Sequence, residues 1–306
     1  RDWRPEGCVG QYRLPGCAVD LGLPDMSFRE AVAAGANSVV IGVAPSGGAL
    51  KAEWVSVLAE GIRSGLSLVS GLHRKLSEES EFVKAAAASG QQLIDIRVPP
   101  ASISIATGRR RSGKRLLTVG TDCCVGKKYS ALSLHKALED RGIAATFRAT
   151  GQTGILIAGG GIPMDAVVSD FLSGAAETLT PDAASDHWDV IEGQGSLFHP
   201  AYVAVTLGLL HGSQPDAMVL CHGSGRTVID EYEDFPVPDL RECVTQYEQA
   251  ARVTNRQSSI VGISLNTQGL SDTEALSACR DASTLTGLPC VDPMRHALDS
   301  ILDALP

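Results

Sequence analysis

From Gly120 to Lys128 the chain reads Gly-Thr-Asp-Cys-Cys-Val-Gly-Lys-Lys. An apolar run (Leu116, Leu117, Val119) precedes this stretch, and Tyr129, Leu132, Leu134 and Leu138 follow at helical spacing. Strand, glycine-bearing turn, lysine and helix in that order make a cradle for phosphate. The loop N–H groups and the positive helix N-terminus face one anion, and Lys127 adds a charge. The loops of nucleotide hydrolases have four residues between the glycines and Ser or Thr after the lysine. Here five residues separate Gly120 from Gly126, and Lys128 stands in the hydroxyl position. That hydroxyl normally helps hold Mg²⁺, which a charged lysine cannot do. The expected role is therefore to hold a phosphorylated ligand rather than to hydrolyse a nucleotide. The expected ligand contacts are Gly120, Thr121, Asp122, Cys123, Cys124, Val125, Gly126, Lys127, Lys128 and Tyr129.

Three more polar or glycine-rich clusters follow apolar runs, at residues 150–154, 192–196 and 222–226. Glu192 ends a short strand and precedes Gly193, so it is the expected general base; its competing reading is a buried partner of Lys127 or Lys128. Asp122 is the alternate base, or a cap bonded to nearby loop N–H groups. Arg148 and Arg226 each follow a strand and can clamp a carboxylate by a planar two-point contact, or make ordinary salt bridges. Gln152 and Thr153 complete the expected substrate-contacting set. His222 and His199 have the chemistry for proton transfer, although single histidines more often serve structure. Cys123 and Cys124 lie at a helix start, where a thiolate is stabilised. A thioester role competes there with a simpler one, small residues that let backbone N–H groups face the ligand. No G-x-S-x-G elbow is present.

The elements that must position these residues alternate. Helix patterns at residues 28–34, 52–63 and 78–88 are interleaved with strands at 38–43, 66–70 and 92–97. Pro99-Pro100 then breaks the alternation, and the basic run 108–114 reads as a solvated linker. Past the phosphate loop, strands are expected at 144–148, 190–191, 217–221, 260–265 and 290–291. Helices are expected at 165–178, 200–210, 240–254, 273–286 and 294–305. Helical crossovers of this length imply parallel sheets. The fold class is α/β, with domains at 1–110 and 111–306. In a parallel sheet the loops after the strands share one edge, where ligands bind, so the four clusters are expected to converge. Residues 1–26 are expected to be irregular.

At 306 residues, 44% hydrophobic and 20% charged, this is an ordinary globular chain. A net charge of -9 argues against a nucleic-acid partner. No apolar run is long enough for a membrane span. The eight cysteines contain no C-x₂-C pair and read as reduced thiols. The expectation is a cytoplasmic homo-oligomer acting on small molecules, with no resident metal. The chain starts at Arg1 without Met, so its beginning is expected to be trimmed.

Two resemblances follow from these motifs. Gly120–Lys127 with Glu192-Gly193-Gln194-Gly195 is similar to dethiobiotin synthetase, in which the later glutamate binds metal; Lys128 breaks that pattern. The other resemblance spans nearly the whole chain. It rests on Trp3-Arg4-Pro5-Glu6, on Gly42-Val43-Ala44-Pro45-Ser46-Gly47-Gly48, on Val69-Ser70-Gly71-Leu72-His73, and on the phosphate loop with no Thr after its lysine. Together these resemble the bacterial D-glutamate (D-amino acid) N-acetyltransferase family. The resemblance implies an N-terminal Rossmann-like domain and a C-terminal P-loop NTPase-like α/β domain. It also implies acetyl-CoA as cosubstrate and a place in D-amino acid catabolism. Under it, Glu192 or Asp122 would deprotonate the amine, and Arg148 and Arg226 would meet the carboxylates. The turn at 44–48 could complete the acceptor pocket. The rival readings are an ATP/Mg²⁺-dependent ligase using Asp122 and Glu192, and a nucleotide- or CoA-binding protein without chemistry.

Overall fold

The computed structural model describes residues 1–43, 45 and 49–306. It consists of two compact units, Arg1–Val98 and Pro99–Pro306. Apart from Gly42, Val43 and Pro45, the turn singled out at 42–48 lies outside the described residues.

In the first unit, residues 1–26 contain only a 3₁₀ turn and an isolated bridge, Gln11 to Asp25. Helix α1 (Phe28–Ala33) starts at Ser27, which with Glu30 forms a reciprocal capping box. Strand β1 (Ser38–Val40), helix α2 (Ala52–Arg63), strand β2 (Ser67–Ser70), helix α3 (Ser80–Ser89) and strand β3 (Leu93–Asp95) follow. The strands pair in parallel in the order β1-β2-β3. Val55, Ala59 and Ile62 of α2, at helical spacing, pack on Leu68, Phe82 and Ala85.

The second unit carries a six-stranded sheet in the order β11-β10-β7-β4-β6-β5, every pair parallel. In chain order its first elements are β4 (Lys114–Gly120), α4 (Lys127–Asp140), β5 (Ala145–Arg148) and α5 (Gln152–Ala158). Next come α6 (Leu172–Leu179), β6 (Trp188–Ile191), α7 (Val203–Ser213) and β7 (Ala217–Gly223). An antiparallel hairpin of β8 (Val228–Ile229) and β9 (Tyr232–Pro236) precedes α8 (Leu240–Ala251). The unit ends with β10 (Ser259–Asn266), α9 (Asp272–Thr286), β11 (Cys290–Val291) and α10 (Asp299–Leu302). Strand residues alternate between two cores. Leu116, Val190 and Val219 meet Leu134 and Leu138 of α4 on one face. Leu117, Ile191 and Met218 meet α6, α7 and α8 on the other. The chain leaves β4 toward β5 and later returns past β4 to β7, so its direction of winding reverses around β4.

Several expectations change. The run 108–114 falls inside the second unit, which begins at Pro99; Gly108, Arg109, Arg110 and Ser112 are exposed, but the run is anchored. The Arg111 guanidinium is buried and donates to the carbonyls of Thr180 and Gly212, and buried Arg115 donates to that of Arg111. The helix expected at 165–178 is two 3₁₀ turns followed by α6. Val167 and Val168 between them are extended, a conformation that suits β-branched residues. Residues 152–154 are the first turn of α5 rather than loop. Within 294–305 only α10 is an α-helix. The β8–β9 hairpin has no counterpart in the sequence reading. Among the described residues, no helix is long and apolar enough to cross a membrane.

Candidate active site

The loop after β4 is braced from three sides. Thr121 N–H donates to the Cys221 carbonyl of β7 (3.0 Å), and the Thr121 hydroxyl meets His222 Nδ1 (2.9 Å). From α8, the buried Tyr247 hydroxyl donates to the Gly120 carbonyl (2.7 Å) and accepts from Leu197 N–H (3.1 Å). Lys127 Nζ crosses the loop to the Asp122 carbonyl (2.7 Å). Gly126 turns the chain into α4 at φ 103°, where only glycine is unstrained. Lys127 is buried, and that burial lowers its pKa.

Asp122 is fully buried and both its oxygens are engaged. Oδ1 accepts from Cys123 N–H (2.6 Å), and Oδ2 accepts from Asp230 N–H (2.8 Å) and Arg226 Nη1 (3.2 Å). Arg226 also pairs with Asp230 (2.9 Å). Asp122 is thus an anchor tying the loop to the β8–β9 hairpin, a poor arrangement for the alternate base. Arg226 reaches the loop cluster, but with its charge already matched by two carboxylates.

Glu192 lies just past β6, 4% exposed. Its Oε2 accepts the N–H groups of Thr150 and Gly151, both at 3.0 Å. The Thr150 hydroxyl donates to the Glu192 carbonyl (2.6 Å) and accepts from Gln194 Nε2 (3.1 Å). Burial raises the Glu192 pKa, outweighing those N–H groups and the charges of Lys128 and Lys127. Among the described residues Glu192 makes no ion pair, so the salt-bridge reading with Lys127 or Lys128 is not realised. A carboxylate held by two backbone donors beside two lysines, with its pKa raised by burial, is suited to the role of a proton acceptor.

Of the two readings of Arg148, the structure shows the salt bridge. Its Nε donates to Asp189 Oδ1 (2.7 Å) on β6. Asp189 pairs in register with Thr146, before the strand end. The guanidinium therefore leans back along the sheet, away from the loop edge, and serves as a structural ion pair. Gln152 and Thr153 sit in the first turn of α5, half-buried and exposed respectively.

Asp122, Cys123 and His199 bring one potential metal-ligating atom each within 4.8 Å of one another. Their other bonds suit a cation poorly. Asp122 is neutralised by Arg226. Burial pushes the Cys123 thiol up to about 11, so it is no ready thiolate. His199 Nδ1 accepts from Ala201 N–H (3.2 Å). The same raised pKa disfavours the thioester role for Cys123. Cys124 is exposed and left-handed at φ 55°.

Sequence reasoning missed Tyr247, Thr118, Thr150 and Asp230. Thr118 accepts from Gly193 N–H (3.0 Å) and donates to the Lys127 carbonyl (3.1 Å), stitching the two loops together. Tyr247 reads as one more apolar position of an amphipathic helix, and no local pattern marks its hydroxyl. Thr150 lay inside a recognised cluster, so its position, though not its bond, was legible.

Comparison with known proteins matches both units. Residues 12–99 match the model of a domain of unknown function described as the DUF1611_N Rossmann-like domain, and residues 104–302 match the DUF1611_C P-loop domain. A protein of Tritonibacter scottomollicae named D-glutamate N-acetyltransferase is 50% identical over 305 residues, 100% of this chain and 92% of that one. A second protein of that name, from Pseudoalteromonas sp., is 48% identical over 301 residues, 98% of this chain and 91% of its own. The crystal structure of a DUF1611 family protein from Anabaena variabilis superposes with a TM-score of 0.86 at 37% identity, covering 92% of this chain and 84% of that one.

Proposed function

This chain belongs to the DUF1611 family, and on that premise we propose that it is a D-glutamate N-acetyltransferase, moving acetyl from acetyl-CoA to the amino group of D-glutamate or a related D-amino acid. The relatives' shared name supports the activity over nearly the full chain. The observation that carries the reading within the molecule is the pairing of a phosphate loop bearing Lys128 in the hydroxyl position with buried Glu192 beside it. Such a loop is suited to a diphosphate that is held but not hydrolysed.

In this reading Lys127 and the loop N–H groups hold the diphosphate of acetyl-CoA. Glu192 takes a proton from the acceptor's ammonium through Oε1, since Oε2 is bonded to Thr150 and Gly151. The freed amine attacks the thioester carbonyl. A C–N bond forms, the C–S bond breaks, and the second amine proton passes to the departing thiolate. N–H groups of the glycine-rich loops are the candidate donors to the developing oxyanion. Arg226, in the loop cluster, is the side chain proposed to meet an acceptor carboxylate, in exchange for one of its pairings with Asp122 and Asp230.

The test is direct. The protein is incubated with D-glutamate and either acetyl-CoA or Mg-ATP, while free thiol and ADP are followed. Thiol release that depends on D-glutamate is expected. ADP formation without thiol release would replace this reading with a ligase, and tight CoA binding with neither product would replace it with a binding protein.

A further inference from the structure

Beside the phosphate loop, on the side away from Glu192, lies a cleft of about 460 Å³ that no step above uses. Its walls come from the loop and first turn of α4, from the segment after β10, and from the segment after β11. We infer that this cleft seats the nucleoside end of the acyl carrier, so that acetyl-CoA lies across the strand ends with its adenosine over β10 and β11 and its thioester toward β6. The inference rests on the acetyl-CoA reading and adds to it a site and a direction.

Three observations support it. The first is chemical. Val125 and Tyr129 face the cleft from the loop side, and Pro293 and Met294 from the β11 side, a set suited to the flat faces of a base. The second is polar. Asn266 Oδ1 accepts from Gln268 N–H (3.0 Å), while its Nδ2 has no hydrogen-bond partner among the described residues. Nδ2 is thus an oriented donor at the cleft edge, where a purine ring nitrogen can accept. Arg295 stands beside it, paired with Asp272 and with Asp292 (3.6 Å), so a phosphate on the ribose would share its guanidinium with those carboxylates.

The third is that the wall is already built. Buried Asp292 accepts the N–H groups of Thr267 (3.1 Å) and Met294 (2.8 Å), fixing the segments after β10 and β11 to each other. Arg295 donates to the Leu270 carbonyl (2.7 Å). Ser130 and Ser264 join their hydroxyls at 2.7 Å across the floor.

Strand order then sets the direction. The loop follows β4; the cleft lies at β10 and β11, past β7; Glu192 follows β6 on the opposite side. From β10 to β6 is three strand spacings, roughly 14 Å. A ligand with its diphosphate on the loop and its base in the cleft has its acyl arm pointing toward Glu192.

The test uses the full chain, with adenosine 3′,5′-bisphosphate as the probe, by calorimetry and as an inhibitor. Wild type is expected to bind it in competition with acetyl-CoA. Asn266→Leu, which removes the donor, and Met294→Glu, which sets a carboxylate at the rim, are each expected to weaken it about tenfold or more. The preference for acetyl-CoA over S-acetylpantetheine, as a ratio of kcat/KM, should fall by a similar factor. Unchanged probe binding and preference in both variants would overturn the cleft assignment while leaving acetyl transfer standing. Probe binding that the variants weaken, in a protein that moves no acetyl, would keep the cleft and remove the acetyltransferase reading.

Discussion

Gly154 and Glu192 are fitted to each other. A Cβ placed on Gly154 would lie 2.2 Å from Glu192 Oε2. No real contact is that short, and Oε2 is the oxygen bonded to Thr150 and Gly151. The first turn of α5 lacks a side chain here because the carboxylate occupies its place. Gly154→Ala, favourable for a helix in isolation, should push Glu192 off its two donors. The expected result is a fall in kcat of tenfold or more in the thiol-release assay, with acetyl-CoA affinity retained and destabilisation of about 1–3 kcal/mol from overpacking.

Glu192→Gln preserves size and can still accept the two N–H bonds, but it cannot take a proton. Turnover should drop by about 10²–10⁴-fold with cosubstrate binding unchanged. In the wild type, burial raises the Glu192 pKa from its ordinary 4.5. A base must be ionised, so the rate falls as pH drops through that raised value. The acid limb of kcat/KM should therefore lie above the ordinary carboxylate range. Wild-type turnover in Glu192→Gln would remove Glu192 as the base.

Tyr247→Phe tests the brace beneath the phosphate loop. The substitution leaves the Gly120 carbonyl and Leu197 N–H buried without their partner. A loss of about 1–3 kcal/mol is expected for such unpaired groups. For a unit of this size that is roughly 2–4 °C in Tm per kcal/mol, read by a thermal melt. CoA affinity should weaken as well, because Gly120 opens the loop.

His222 is expected to set an acid limit on stability. Burial, and then the charge of Arg226, hold its pKa below the ordinary 6.5. The folded state therefore binds fewer protons than the unfolded chain. The stabilising contribution is present above pH 6.5 and is lost as pH falls through the folded value. His222→Gln, which can keep a bond to the Thr121 hydroxyl, should flatten the decline in Tm between pH 7.5 and 5.5. An equally steep decline would assign the acid sensitivity to other groups.

Lys127→Ala removes the charge that crosses the loop to the Asp122 carbonyl. A charge-assisted bond to a diphosphate is worth about 1.5–3 kcal/mol, so CoA affinity should fall roughly 10- to 150-fold. Equilibrium binding of CoA to the variant measures this, and unchanged affinity would refute the cradle.

Much of the architecture was legible in the chain itself. Alternating strand and helix patterns announce a parallel α/β fold because burial on both faces requires near-continuous apolar strands such as Leu116–Val119. The loop at 120–127 was legible as a P-loop-like turn by its glycine spacing and lysine, since such a turn is a local backbone shape. Glu192 was legible as a strand-end carboxylate. For Arg148 and Asp122 the sequence left two readings each and no means of choosing between them. An arginine after a strand looks the same whether it faces a ligand or, as here, Asp189 on the neighbouring strand. Asp122 became an anchor only because the β8–β9 hairpin, a hundred residues on, brings Arg226 and the Asp230 N–H to it.

The sequence by itself determined the fold class, the P-loop-like strand–loop–helix and the missing hydroxyl at Lys128, because each depends on residues close together along the chain. Only the tertiary structure decided which charges are already matched, which carboxylate keeps an oxygen available, and that Gly154 makes room for it. Those properties depend on desolvation and on contacts between strands far apart in the chain, and no local pattern of residues encodes them.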